Sequence, residues 1–272
     1  MGYSTEYDVL GRDEPRTDVT AIAGYGRFID ATPLAKAVRI EAFLIEEGIL
    51  SDHMPKGIIL EVANTIEKEQ EYKDKYGATY KSQWYNAMEE VMAGSGLLKN
   101  NSLGGLGTLR IEEVLFEENV HNRFYGYDVT AGVGITATTP DTNANRGDGV
   151  ATLGFRWARP VAWKTQLEQS FQLNTPLKSS FGKSINAKLT TTYVYELTNR
   201  IDFAASHILD FTKVDIDNVE GVDDQTFNNA ANFAFLFYIE NYINWKVDLG
   251  FNKLEGSDLL TTLHTGISLN IW

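Results

Sequence analysis

Ser206 and His207 are adjacent in the chain and are the residues best suited by type to act as a nucleophile and its base. Both fall in a stretch where large apolar residues alternate with polar ones, which is the pattern of a β-strand. Neighbouring side chains of a strand point to opposite faces, so this pair cannot share the hydrogen bond that activates a serine. Since His264 has no evident serine partner either, the sequence predicts no hydrolytic site and no enzyme.

Metal and phosphate sites are not indicated by the sequence. The chain has no cysteine, and its four histidines are scattered rather than clustered. The glycine-rich segments 94–107 and 132–134 do not have the spacing of a phosphate-binding loop. The acidic stretch 215–224 has no EF-hand spacing, so we expect a solvated loop there instead of a calcium site. We therefore predict neither a cofactor nor a metal.

Charged residues of both signs recur at even-numbered positions beyond residue 125, between large apolar residues at odd-numbered positions. Charges gathered on one buried face must pair, because an isolated buried charge is very costly. We therefore predict a salt-bridged polar network that fills the interior of the fold. Its members are Asp128, Arg156, Lys164, Glu168, Lys188, Glu196, Asp202, Asp210, Lys246 and Asp248.

The segment 232–252 best shows the element that positions these charges. Large apolar residues occupy every second position on both sides of Glu240 and Asn241, which predicts a β-hairpin with a tight turn there. The same alternation predicts eight antiparallel strands within residues 108–272. We place them at about 125–138, 149–159, 161–173, 184–197, 200–212, 230–239, 242–253 and 259–272.

Short turns alternate with long loops along these strands. Tight turns are predicted at residues 159–160, 198–199 and 240–241, and longer polar loops lie between them. Each strand reaches the roughly 9–11 residues that a tilted strand needs to cross a bilayer. The pattern therefore favours an up-and-down transmembrane β-barrel.

The apolar face is expected to point outward. An eight-stranded barrel has an interior just wide enough for its side chains, and the odd-numbered set contains too many aromatic rings to fit there. Amphipathic aromatic residues also gather near the short turns, where a membrane–water interface would place them. This predicted aromatic girdle consists of Tyr127, Trp157, Trp163, Tyr193, Tyr195 and Trp245.

Residues 125–272 resemble the eight-stranded outer-membrane β-barrel proteins of Gram-negative bacteria, and more weakly the salt-induced outer-membrane family of unknown function. The resemblance lies in the alternation, in the turn pattern and in the aromatic last residue, Trp272. It implies a location in the cell outer membrane, with membrane lipid as a partner and the short turns on the periplasmic side.

The segment before the barrel is predicted to be helical. Residues 1–30 form an unassigned extension, and residues 31–107 form a small helical domain on the periplasmic side that ends in a glycine-rich linker. Helical spacing predicts helices over 32–48, 55–76 and 79–93. Trp84, Met88 and Val91 share one face of the third helix, which packs on the other helices or offers a face to a protein partner.

The net charge of −13 argues against nucleic acid as a partner, because phosphate binding needs a basic surface. We predict a structural, anchoring or assembly role, with a protein partner bound through residues 30–100 or the long loops. The alternative is a channel or transport protein in which residues 18–29 and 107–118 add strands to a wider barrel. A third possibility is a soluble barrel that carries an apolar ligand, with the apolar face inside.

Overall fold

The computed structural model describes residues 2–6, 16–118, 120–138, 149–177, 181–214, 225–240 and 243–269. The chain is mainly β and forms one antiparallel sheet in which each strand pairs with the next one along the sequence. The strands are β1 (Gly2–Glu6), β2 (Arg16–Asp30), β3 (Phe124–Thr138), β4 (Val150–Ala162), β5 (Thr165–Pro176), β6 (Ile185–Thr198), β7 (Ile201–Lys213), β8 (Gln225–Glu240), β9 (Ile243–Leu254) and β10 (Leu260–Leu269).

The eight predicted strands correspond to β3–β10, but the predicted number of strands is wrong. Residues 16–30, expected to lie in a separate extension, form the 15-residue strand β2, which pairs with β3 along its length. The five-residue strand β1 pairs with β2 in turn. The sheet therefore has nine strands of ten residues or more and one short strand at its beginning. No pairing joins β1 to β10 within the residues described.

The turn expected at residues 159–160 is displaced toward the C-terminus. Strand β4 continues through Pro160 to Ala162, and Trp163 and Lys164 form the turn instead. The register shifts between Pro160 and Ala162, because proline has no N–H to donate to the ladder and is accommodated at an irregular position. The turn after Thr198 lies within one residue of its prediction. Residues 215–224, Asn241 and Trp272 lie outside the described residues.

A helical segment is inserted between β2 and β3. Its helices are α1 (Thr32–Glu46), α2 (Lys56–Glu67), α3 (Glu69–Tyr76), α4 (Tyr80–Ala93) and α5 (Gly104–Glu112), followed by a π-helical turn over Glu113–Glu117. The predicted second helix is divided at Lys68 into α2 and α3. The alternative in which residues 18–29 and 107–118 both add strands is half right: residues 18–29 lie in β2, whereas Gly107–Glu117 is helical throughout.

The helical segment has its own hydrophobic core. Its fully buried members include Ile40, Leu44, Val62, Trp84 and Met88. Leu98 and Leu103 also belong to this core, so the stretch predicted as a glycine-rich linker is packed into the helical segment. Burial of these apolar side chains, at roughly 25 cal/mol per Å² of apolar surface, stabilises the segment independently of the sheet.

Glycine is required where β2 meets β3 near the helical segment. Gly126 has a φ of 116°, in a region that other residues rarely adopt. A Cβ atom on Gly126 would lie 1.9 Å from the carbonyl oxygen of Arg27 in the paired strand. The close approach of the two backbones at this end of the sheet therefore depends on the absence of a side chain.

Candidate functional site

Three buried charges join the helical segment to the sheet. Glu196, in β6, accepts a hydrogen bond from Arg39 of α1 through its Oε2 atom. Its Oε1 atom lies 2.7 Å from Nη2 of Arg123, which immediately precedes β3, and 3.0 Å from the backbone nitrogen of His121. Arg39, Arg123 and Glu196 are all buried. One carboxylate of the sheet is thus held by two guanidinium groups from outside the strands.

A second carboxylate extends this ion cluster toward the turn between β6 and β7. Glu118 lies 3.1 Å from Nη1 of Arg39 and accepts a hydrogen bond of 2.6 Å from the side-chain amide of Asn199. The ion cluster, defined here as Arg39, Glu118, Arg123 and Glu196, therefore contains two positive and two negative side chains. Its charges balance within the contact itself, as burial requires.

The two ends of the helical segment are tied together beside the ion cluster. The backbone nitrogen of Ala31 donates to the carbonyl oxygen of Arg123 at 2.6 Å, and the backbone nitrogen of Arg123 donates to Oγ1 of Thr32 at 2.9 Å. Thr32 is the first residue of α1, and Ala31 occupies the N-cap position without a side-chain cap.

Burial affects the protonation of groups around the ion cluster. Desolvation raises the pKa of Glu118, although the nearby Arg39 opposes the change. Desolvation, followed by the positive charge of Arg123, lowers the pKa of His121 below its ordinary value. Desolvation also lowers the pKa of Arg123, and Glu196 opposes it. A neutral His121 therefore fits this contact better than a charged one.

The ten residues predicted to form one interior network occupy separate contacts. Arg156 donates from Nε to Oδ2 of Asp128 at 3.0 Å, and Nζ of Lys246 lies 2.8 Å from Asp248. Asp210 accepts a hydrogen bond from Asn186 and stands opposite Lys188 in the β6–β7 register. Glu196 and Asp202 are buried. Nζ of Lys164 lies 4.7 Å from the ring centroid of Trp163. Glu168 lines a cavity.

The described contacts therefore do not join the ten residues into one continuous network, and Lys164 lies in the turn between β4 and β5. The prediction also lacked Arg39, Glu118, His121 and Arg123, which lie outside the strands. One available signal was the position of Arg39, a charged residue between the apolar residues Ala37 and Ile40 in a helix with a buried face. No local spacing could assign Glu196 as its partner.

The two faces of the sheet differ in their surroundings. Gln166, Val194, Glu196, Asp202 and Ala234, all at even-numbered positions, are buried. Most of the exposed large apolar side chains of the strands stand at odd-numbered positions; they include Val19, Tyr25, Val129, Val133, Ile135, Leu153, Phe233, Phe235, Leu249, Leu263 and Ile267. Leu153 is 43 % exposed and Leu263 is 70 % exposed. Most of the large apolar side chains that are exposed on the strands thus share one face of the sheet, called here the apolar face.

The six aromatic residues predicted as a girdle all lie near the short turns. Tyr127, Trp163, Tyr193, Tyr195 and Trp245 are exposed, and Trp157 is half-buried. The indole nitrogen of Trp245 donates to Oγ1 of Thr265 at 2.7 Å, and the guanidinium carbon of Arg39 lies 5.8 Å from the ring centroid of Trp163. The aromatic rings therefore stand at the same end of the sheet as the helical segment.

The predicted partner face is not exposed. Trp84 and Met88 are 1 % and 0 % exposed and belong to the core of the helical segment, and Val91 packs against that core. The indole nitrogen of Trp84 donates to the carbonyl oxygen of Thr65 at 2.6 Å. These residues therefore contact other helices. The exposed large apolar residues of the helical segment are Leu60, Leu106, Leu109 and Phe116.

Ser206 and His207 do not form a nucleophile–base pair. Ser206 stands opposite Thr192, whereas His207 stands opposite Thr191 on the other face and contacts Oδ1 of Asn229 through Nε2 at 2.8 Å. Among the residues that the structure describes, no group of three or more histidine, aspartate or glutamate residues could hold a metal ion.

No family model, curated protein or solved structure matches this chain. Within the described ranges, none of the helices combines the length and the apolar character needed to cross a lipid bilayer. The exposed apolar face of the sheet and the buried ion cluster are the two features of the described residues from which a function can be argued.

Proposed function

We propose that this chain is an integral outer-membrane β-barrel protein with a structural or anchoring role, in which the helical segment covers the periplasmic end of the barrel. The outward apolar face carries this proposal. Large apolar side chains exposed over many neighbouring strands would be costly in water, whereas lipid chains would cover them. The aromatic residues near the short turns support the same placement, because such rings collect at membrane–water interfaces.

A membrane location requires the sheet to close. In a bilayer every backbone N–H and C=O group must be paired, and an open sheet edge leaves a row of them unpaired. Ten strands in an up-and-down order give β1 and β10 opposite directions, so the two edges can pair in the antiparallel manner. We therefore propose that β1 and β10 close the barrel.

Closure can be measured directly because the chain has no cysteine of its own. Paired cysteines would be introduced at Ser4 and at successive positions of β10 from Leu263 to Thr265, and disulfide formation would be followed in detergent. We expect a disulfide between position 4 and one position of β10, and no disulfide between position 4 and the position two residues away on β10. Absence of any disulfide across the series, in protein that still requires detergent, would contradict closure by this strand pair.

The membrane location itself is tested by detergent dependence and heat-modifiability. A closed membrane barrel should precipitate without detergent and migrate faster on an SDS gel when it is not boiled. A monodisperse protein without detergent and without a gel shift would overturn the proposal. It would favour the soluble barrel that carries an apolar ligand, which requires the apolar residues to be inside.

The anchoring role includes a protein partner for the helical segment. The buried Trp84 and Met88 are unsuitable for this contact, so we assign it to the exposed Leu106 and Leu109 of α5. Chemical cross-linking in intact envelopes should capture a partner that the double variant Leu106→Ser/Leu109→Ser fails to capture. Leu60→Ser, an equally exposed position on α2, serves as the matched control. Equal capture by both variants would contradict the assignment.

The alternative function is a channel or transport protein. The ten strands favour it, since a wider barrel leaves more interior space than one of eight strands. The ion cluster argues against an open passage. It fixes the helical segment to the even-numbered face, which lines the interior of the proposed barrel. Steady conductance of the wild-type protein in planar bilayers would favour transport, and its absence would favour anchoring.

A further inference from the structure

A cavity of about 470 Å³ lies along β2–β6, where the helical segment leaves and re-enters the sheet. Most of its lining residues stand at even-numbered positions, and Trp157 and Gln169 also contribute. Its lining includes Phe28 and Asp30 at the end of β2, Phe124 at the start of β3, and Glu168, Thr190 and Thr192 farther along the sheet. Sites for small molecules commonly have volumes of roughly 300–1,000 Å³. The cavity is thus large enough for a small ligand.

Neither carboxylate of this cavity forms a salt bridge within the described residues, although the positive charges of Lys36 and Arg123 act on Asp30 and Glu168 from farther away. In the described part of the chain, no lysine or arginine nitrogen lies within 4.0 Å of the carboxylate of Asp30 or Glu168. Asp30 accepts a hydrogen bond from the backbone nitrogen of Thr32 at 2.8 Å. Arg156 also lines the cavity, but its guanidinium is already paired with Asp128 through two nitrogens. The cavity therefore carries an excess of negative charge.

A buried acceptor lies beside the same wall. The side-chain amide of Gln166 donates from Nε2 to the carbonyl oxygen of Phe124 at 2.9 Å. Its Oε1 atom is buried and has no hydrogen-bond partner within the described residues. Unsatisfied buried acceptors are uncommon and call for a donor. Gln166 is itself fully buried and does not line the cavity, so its Oε1 atom marks a polar wall and is not a contact for a ligand.

The aromatic part of the wall narrows the choice of ligand. Phe28 and Phe124 are stacked with their centroids 5.4 Å apart, and the guanidinium of Arg156 lies 4.5 Å from the centroid of Phe28. This wall thus already accommodates a planar organic cation on a ring face. A hard metal ion such as Ca²⁺ would need about six to eight oxygen ligands, which two carboxylates beside phenyl rings do not provide.

We propose that this cavity binds a small organic cation that carries ammonium or guanidinium groups on an aliphatic body. The cationic group pairs with Glu168 and Asp30 and donates its N–H groups to their carboxylate oxygens. The aliphatic body packs against the stacked rings of Phe28 and Phe124. An anion is disfavoured by the unpaired carboxylates, and a neutral polyol leaves their charge uncompensated.

The test is isothermal titration calorimetry on the full-length protein in detergent, with agmatine as the probe. Agmatine carries one ammonium and one guanidinium group on a short aliphatic chain. Saturable binding is expected, and Glu168→Gln should weaken it at least about tenfold through loss of the charged contact. Asp210→Asn, on the same face but outside the lining, is the matched control and should leave agmatine binding unchanged.

Maltose and inorganic phosphate are the comparison probes. Tighter binding of either one than of agmatine would overturn the proposal, as would agmatine binding that Glu168→Gln leaves unchanged or no agmatine binding at all. If the Glu168→Gln protein does not show the unboiled gel band, Thr192→Trp is used in its place. An indole at position 192 fills the cavity and should abolish agmatine binding. None of these outcomes depends on whether the helical segment has a protein partner.

Discussion

Arg39 and Glu196 are separated by 157 residues in the sequence and form an ion pair in which both side chains are buried. Arg39 lies in α1 and Glu196 in β6, so this contact fixes the helical segment against the sheet. Two guanidinium groups share the carboxylate, which makes Glu196 the centre of the ion cluster.

Glu196→Gln is expected to release the helical segment from the sheet. The substitution leaves Arg39 and Arg123 buried without their shared carboxylate, and removal of one partner from a buried pair costs about 3–5 kcal/mol. Hydrogen exchange measured by mass spectrometry should show faster exchange in α1. Glu255→Gln, in an exposed position far along the chain, is the control. Unchanged exchange in α1 would show that other contacts hold the segment.

Docking of the helical segment should depend on pH through His121. Because its pKa is lowered in the docked state, the undocked state takes up a proton more readily, and acidification from about pH 7 to about pH 5 favours undocking. Glu118 has the opposite sign, since its raised pKa lets the docked state bind the proton more readily. His121→Gln removes the first contribution alone. The protection of the α1 amides, corrected for the intrinsic exchange rate at each pH, should therefore fall less on acidification in this variant than in the wild-type protein.

If the apolar face contacts lipid, an arginine at Phe171 should prevent insertion into a bilayer, whereas an arginine at the adjacent Gln172 should not. Phe171→Arg places a charge on the outward face near the middle of the strand, at a cost of about 2–4 kcal/mol in a bilayer. Gln172→Arg places the same charge on the other face and should be tolerated. The measurement is the yield of the heat-modifiable band after refolding into lipid vesicles. Equal yields for the two variants would contradict the proposed orientation.

Gly126→Ala should weaken the pairing of β2 with β3. The new methyl group meets the carbonyl oxygen of Arg27, and the positive φ adds backbone strain of order 1–3 kcal/mol. The urea concentration at which the unboiled gel band disappears should fall. Gly266→Ala, at a position in β10 with no heavy atom near the added methyl, should leave this concentration unchanged.

Trp84→Ala should destabilise the helical segment without opening the sheet. Loss of a fully buried indole and of its hydrogen bond to Thr65 costs about 3–5 kcal/mol. The helical circular-dichroism signal should melt at a lower temperature, while the unboiled gel band stays. Leu60→Ala, at an exposed position of the same segment, is the control. A wild-type melting curve for Trp84→Ala would contradict the core assignment.

The alternation of side chains was sufficient to predict β3–β10, because large apolar residues mark every second position of those strands. Strand β2 was harder to assign, since Ala21, Ala23, Gly24 and Gly26 give its two faces little contrast. Pro160 indicated a turn, yet an irregular register lets the strand continue through it.

The candidate site could not be predicted to the same extent. The alternation puts charged residues at every second position of the strands, but it offers no means to pair Glu196 with Arg39 or Arg123, because a tertiary contact across many residues leaves no periodic signal. Trp84 and Met88 were assigned to one helix face correctly, and whether that face met other helices or a partner depended on the packing of α1–α5.

The insertion of the helical segment has a consequence for the order of folding. Thr32 and Arg123 are in contact although 91 residues separate them, and closing a flexible loop of that length costs about 4 kcal/mol of chain entropy. A helical segment that has already folded on its own core holds these two residues together before the strands pair. The pairing of β2 with β3 then proceeds as if the two strands formed a local hairpin. Early folding of the helical segment thus removes the entropic penalty that its length would otherwise add to this pairing.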